Sequence, residues 1–109
     1  MDSGLLATAG AEIYWQAHGA GPAVVLAHGI GGNHAIWYRQ LDALARANRV
    51  ITFDHRGFGI SRDHDGRGRD AFVDDLTALL DHLGESKAAL VGQSMGAGTC
   101  IGFAHRAPE

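Results

Sequence analysis

Cysteine is nearly absent from this 109-residue sequence: Cys100 stands alone, so no internal disulfide can form. Proline occurs only twice, and no stretch rich in proline or serine reads as a linker between domains. No apolar run approaches the ~18 residues needed to cross a bilayer, which excludes a membrane partner through insertion. The opening "MDSGLLATAG" has no basic segment followed by a long apolar run, so it does not read as a secretory leader. Together with the single thiol, this predicts a cytoplasmic protein. Basic charge is scarce too: 9 Lys and Arg face 12 Asp and Glu, for a net charge of −3, and the cations are scattered. A phosphate-binding stripe is missing, and nucleic acid is not an expected partner.

What is present suits a folded domain. Hydrophobic residues make up 46% and charged residues 19%, enough apolar side chains for a core in a chain with room for one small domain. The 16 glycines cluster at 29–32, 57–59, 66–68 and 92–98. Glycine weakens regular elements and is favoured where backbone turns sharply or passes close to another group. In the absence of repeats or linkers, the clusters read as turns within one domain.

The periodicity alternates between two kinds of element. In "AEIYWQAHG", Ile13 and Trp15 alternate with polar neighbours, as in a strand. "PAVVLAHG", "RVITFDHRG" and "AALVGQS" are short apolar runs ending at or near glycine, the pattern of strands buried on both faces of a parallel sheet. Ile36, Trp37, Leu41 and Leu44 recur at helical spacing after the N-cap candidate Asn33, and Phe72, Val73, Leu76, Leu79, Leu80 and Leu83 do so between Asp70 and Gly84. Pro108 suits the end of a last helix. Strands alternating with helices of these lengths predict an α/β fold with a mostly parallel sheet and flanking helices.

In such a sheet, ligands and chemistry collect at the carboxyl ends of the strands, where three of the glycine clusters fall. Gly92, Ser94 and Gly96 satisfy G-x-S-x-G between a predicted strand and a predicted helix. That context calls for a sharp reversal, a serine in strained backbone with its hydroxyl projecting outward, and small flanking residues that let backbone pass. The helix that starts there aims its positive end and its unpaired N–H groups toward the serine, where negative charge would develop in acyl transfer. The backbone amide of Met95 is one natural oxyanion donor. The glycine-rich loop of "LAHGIGGN" offers a second, the amide of Ile30, with His28 and Gly29 supporting that loop.

Taken in order, "LAHGIGGN", "FDHRGFGIS" and "LVGQSMGAG" resemble the first half of an α/β-hydrolase-fold serine hydrolase, and the likeness organises nearly the whole chain from about residue 12. It implies Ser94 as nucleophile, an oxyanion hole from the Ile30 and Met95 amides, and bracing roles for His28 and for Asp54 to Ser61. The expected substrate is a small-molecule ester or related acyl compound, with carbon–carbon bond hydrolysis as the alternative within the fold. No metal or organic cofactor is implied. The catalytic acid and histidine of this family follow the nucleophile. His105, eleven residues past Ser94, would sit roughly 16 Å along a helix and out of reach, and of the earlier histidines only His28 is placed near the serine. The reading is therefore of a single partial domain, 1–109, truncated after the nucleophile helix, with the acid and histidine beyond it and no activity of its own.

Other readings fit parts of the chain. "GQSMGAG" also resembles the cofactor loop of short-chain dehydrogenases, though that loop normally follows the first strand of its domain. A protein that keeps the fold without the chemistry, as a binding module, is a third class. Cys100, inside an apolar helix, reads as packing. Asp63, His64 and Asp65 invite a metal reading, but "SRDHDGRGRD" is expected to be a solvated loop. His18, His34, His55 and His82 read as surface or packing residues, and Trp37 as either lining the pocket mouth or anchoring its helix.

Overall fold

Residues 1–106 are described by the computed structural model of the protein; Pro108, read above as a helix stop, lies outside the described residues. The chain runs β1 (Asp2–Thr8), β2 (Ala11–His18), β3 (Ala23–Ala27), a 3-10 turn His34–Trp37 leading into α1 (Tyr38–Ala45), β4 (Arg49–Phe53), the two-residue β5 (Arg62–Asp63), a 3-10 turn Gly68–Ala71 leading into α2 (Phe72–Leu83), β6 (Ala88–Gly92) and α3 (Met95–Arg106). The sheet order is β1-β2-β4-β3-β6, with β5 paired to β2.

Strand β3 lies inside the sheet between β4 and β6 and is covered on both faces, which is why all five residues of "AVVLA" are buried. Alternate side chains enter two cores, as a pleated strand requires. Val24 and Leu26, with Val50 of β4, meet Trp37, Leu41 and Leu44 on one face. Ala23, Val25 and Ala27, with Ile51 and Phe53, meet Leu76, Leu79, Leu80 and Cys100 on the other. The apolar stripe of α2 thus covers one side of the sheet and α1 covers the other. Asn33 caps the turn into α1 by accepting from the Ala35 N–H at 2.8 Å. Trp37 anchors its helix. Cys100 is buried, and that burial pushes its thiol pKa up.

The sheet is mixed. β3 pairs in parallel with β4 and β6, while β1–β2, β2–β4 and β2–β5 are antiparallel. The N-terminal strand β1 has no counterpart in the sequence reading. Its "DSGLLAT" lacks regular alternation and is only partly buried, and its register is imposed by pairing with the strongly alternating β2. The C-terminal side of the sheet ends at β6, where Val91 is 42% exposed.

The 61–70 segment is exposed over most of its length, as expected of a solvated loop, but it is anchored at points that the sequence reading did not mark. Ser61 is buried; its hydroxyl donates to the Asp54 carbonyl at 2.7 Å and accepts from the Tyr14 N–H at 2.8 Å. Half-buried Asp63 and exposed Asp65 both bind Arg56, a fully buried arginine whose five N–H groups make five hydrogen bonds. Two go to Asp75 (2.7 and 2.8 Å), one each to Asp63 (3.1 Å) and Asp65 (2.7 Å), and one to the Ala9 carbonyl (3.0 Å). The bidentate pair with Asp75, itself buried, holds the guanidinium pKa above its usual value. No group of three or more His, Cys, Asp or Glu side chains is arranged to hold a metal among the described residues; the carboxylates suspected as ligands serve Arg56 instead.

Candidate functional site

The carboxyl ends of β3, β4 and β6 lie side by side, because Ala27 is in register with Phe53 and with Gly92. The three glycine-bearing loops therefore meet at one edge. After β6 the chain reverses at once. The Gln93 N–H still donates to the Ala27 carbonyl at 3.1 Å, and the Gly96 N–H already donates to the Gln93 carbonyl at 2.9 Å. Between them, Ser94 has φ 52°, the only non-glycine in the left-handed region among the described residues. Such a conformation costs on the order of 1–3 kcal/mol and persists only where the surroundings impose it.

Here the surroundings are steric. A Cβ on Gly92 would come within 2.6 Å of the Ala97 Cα, and one on Gly96 would overlap the Ala27 carbonyl and lie within 2.6 Å of the His28 oxygen. Both flanking glycines are thus demanded by backbone packed against backbone. Gly29 plays the same part from the facing loop, since a Cβ there would stand 2.9 Å from the Gln93 oxygen and 3.2 Å from the Ser94 Cβ. The β3 loop and the Ser94 turn are in direct contact, and Ser94 is left exposed at the start of α3.

Met95 opens α3, so its N–H has no intrahelical acceptor, and Ile30 lies on the loop after β3 with its side chain 65% exposed. Neither amide donates to another backbone or side-chain group among the described residues. Two unengaged donors, on the two loops that touch at Gly29 and Ser94, are what a developing oxyanion needs.

His28 is placed close by and is chemically occupied. It is fully buried; its Nδ1–H donates to the Gly29 carbonyl at 2.8 Å, leaving the Nε2 lone pair to accept from the His55 backbone N–H at 2.9 Å. The His55 ring then stacks edge-on, its Nδ1 3.2 Å from the His28 Nε2 and its Nε2 2.9 Å from the Thr99 hydroxyl. This chain of neutral rings ties the β3 loop to α3. Burial, and next the neighbouring His28, hold the His55 pKa down at about 3, and burial likewise lowers that of His28. With both nitrogens committed, His28 has no lone pair for a serine proton and braces the loop instead.

The remaining histidines stand elsewhere. His34 binds Asp54 through its backbone N–H (2.6 Å) and its Nδ1–H (2.8 Å), while Asp54 also accepts from Ile60 at 2.9 Å. His18 meets Gln16 and His64 meets Glu12. His82 lies edge-on to Trp15, and His105 is exposed in the last turn of α3.

Ser94 opens onto a cavity of about 340 Å³ lined by Arg69, Phe72, Val73, Ser94, Met95, Gly98 and Thr99. Trp37 is not part of it. Sequence reasoning missed the α2 side of this cavity: Phe72 and Val73 counted only toward the apolar stripe, and Arg69 sat in a segment read as solvated.

The sequence profile of the α/β-hydrolase fold matches residues 22–109. This chain belongs to the α/β-hydrolase fold family. RutD of Azorhizobium caulinodans, assigned as a carbamate hydrolase, is 36% identical over 100 residues, covering 91% of this chain and 38% of the relative. Among solved structures, an epoxide hydrolase from an endophytic Streptomyces superposes with a TM-score of 0.86 at 34% identity, covering 98% of this chain and 34% of that one. A bromoperoxidase from Bacillus anthracis superposes with a TM-score of 0.86 at 38% identity, covering 94% of this chain and 39% of that one. The chain thus spans between about a third and two fifths of these relatives. For an α/β-hydrolase fold, the turn at Ser94 occupies the expected strand-to-helix position, and the glycine-rich loop that touches it follows a neighbouring parallel strand. The dinucleotide-loop reading has no such support, since "GQSMGAG" follows the last strand of the described sheet and not the first. Among the described residues no helix is long and apolar enough to cross a membrane.

Proposed function

We propose that these residues carry the nucleophile and the oxyanion hole of a serine hydrolase that cleaves an ester or related acyl bond. The observation that carries the reading is the strained, exposed Ser94 at the positive end of α3, beside two unengaged amides. In the proposed reaction the Ser94 oxygen attacks the substrate carbonyl carbon as its proton passes to a histidine. The Ile30 and Met95 N–H groups hold the resulting oxyanion. The C–O bond to the alcohol breaks as that oxygen takes the proton, and water then releases the acyl group by the same steps. The neutral protein donors do this best where solvent is thin, and Phe72, Val73 and Met95 supply apolar walls.

Each histidine of the described chain is committed or distant, so the base and its acidic partner are proposed to come from sequence beyond residue 109, and the 109 residues alone are expected to lack turnover. An aspartate at this turn would have suggested epoxide or haloalkane opening; a serine supports acyl chemistry even though an epoxide hydrolase superposes well. The test is pre-steady-state turnover of 4-nitrophenyl acetate by the protein expressed from its complete reading frame. A nitrophenolate burst stoichiometric with enzyme, abolished in Ser94→Ala, is the expected result. A burst that survives Ser94→Ala would refute the assignment.

A further inference from the structure

Among the described residues, the cavity beside Ser94 is lined by one charged side chain, and it is a cation. Arg69 lies in the turn Gly68–Ala71 that leads into α2, is exposed, and makes no ion pair with any described carboxylate. Its neighbours differ. Arg67 and Arg106 both bind Asp74, at 3.2 and 2.6 Å, and their hydrogen bonds hold the Asp74 carboxyl below the usual range. Arg56 is saturated by three aspartates, and Arg49 is matched by Glu85 at 2.7 Å. Of the acids close to Arg69 in sequence, Asp65, Asp74 and Asp75 bind other arginines, and Asp70 lies outside the lining of the cavity. The remaining walls, Phe72, Val73, Met95, Gly98 and Thr99, carry no charge, and the Thr99 hydroxyl is already engaged by His55.

We propose that Arg69 receives a carboxylate carried by the substrate, so that the preferred substrates at Ser94 are small esters bearing a negative charge. This rests on Ser94 being the nucleophile. A guanidinium presents its donors in a fixed fork that matches a carboxylate in two parallel hydrogen bonds, and an unpaired one on the rim of an otherwise neutral cavity attracts anions in preference to their neutral counterparts. The charge can sit on the acyl side or on the alcohol side of the scissile bond, and the experiment separates the two.

The complete reading frame is assayed with two matched pairs: mono-4-nitrophenyl succinate against its methyl ester, and 4-carboxyphenyl butyrate against its methyl ester. The charged member of at least one pair is expected to show a kcat/KM about tenfold higher, a modest factor because the contact is solvent-exposed. The advantage should reside mainly in KM, as for a contact made equally in ground and transition states, and should shrink at ~0.5 M salt. Arg69→Gln should erase the preference, and Arg69→Lys should retain part of it. The pair that responds identifies the charged side. Failure of both pairs to discriminate, or an Arg69→Gln variant that loses rate equally on charged and neutral members, overturns the proposal. Phosphonylation of Ser94 by a fluorophosphonate distinguishes the two failures. A labelled Ser94 without charge preference removes the role of Arg69 alone, whereas an unlabelled Ser94 removes both readings.

Discussion

The corner held by Arg56 and the turn at Ser94 belong to the same small sheet, yet their polar groups are treated in opposite ways. At Arg56 five donors of one buried guanidinium find five acceptors, and three aspartates from two segments converge on that cation. At Ser94 the backbone is strained, the residue is exposed, and the two amides of Ile30 and Met95 have no hydrogen-bond acceptor among the described residues. A satisfied buried network stabilises a shape but has nothing left to offer a ligand. An unsatisfied, exposed one costs stability and can bind. Joining them is the His28–His55–Thr99 chain, buried and satisfied like the first region but attached to the two loops that make the second.

Several changes would sharpen that contrast. The largest effect is expected on chemistry alone: Ser94→Ala should lower ester turnover of the complete protein by about 10³-fold or more, while its urea midpoint moves little. A large stability loss in that variant would place Ser94 among the supporting residues. Next comes Arg56→Gln, which removes the cation that binds the buried Asp75. Breaking a buried pair by deleting one partner costs about 3–5 kcal/mol, a large part of the stability of a small domain; a denaturation shift under ~1 kcal/mol would show that the corner tolerates its loss.

A third effect is gradual and follows pH. An unfolded chain takes up a proton on His55 below its ordinary pKa of 6.5, whereas the folded chain refuses it until about pH 3. Stability should therefore fall as the pH drops from 6.5 toward 3, by up to about 1.4 kcal/mol per unit for this group. His28, depressed in the same direction by burial, steepens the decline. Urea midpoints across that range test it, and a flat profile would mean that the ring pair opens to solvent. The smallest change is a gain: Ser94→Gly relieves the left-handed backbone and should raise stability by about 1 kcal/mol, measured against Ser94→Ala, which keeps the strain.

The contrast also explains what could be read in advance. The strands starting at Ala23, Arg49 and Ala88 and the stripe of α2 are patterns of near neighbours in sequence, and they stand where periodicity puts them, although β6, expected to be buried on both faces, lies at the sheet edge and is only partly covered. The turn at Ser94 also stands where its local glycine spacing puts it, although the backbone that demands Gly96 belongs to Ala27 and His28. The Arg56 corner was illegible because its partners are spread over residues 9, 63, 65 and 75 and no spacing marks an aspartate as facing inward. For the same reason the anchoring of "SRDHDGRGRD" through Ser61, Asp63 and Asp65 could not be read, although most of that segment is solvated as expected. Strand β1 was missed because its pairing with β2, not its own composition, makes it a strand. Arg69 carries no local signal either; only the packing of the turn before α2 against α3 brings it to the cavity of Ser94.

The most direct test is site-mapped labelling of the complete protein with a fluorophosphonate, which reports serine activation without assuming a substrate. A single adduct on the peptide containing Ser94, lost in Ser94→Ala and slowed when the protein is held below pH 6, is the predicted result. An unmodified Ser94 in the folded protein, or an adduct that persists in Ser94→Ala, would contradict the assignment of this turn as the reactive centre.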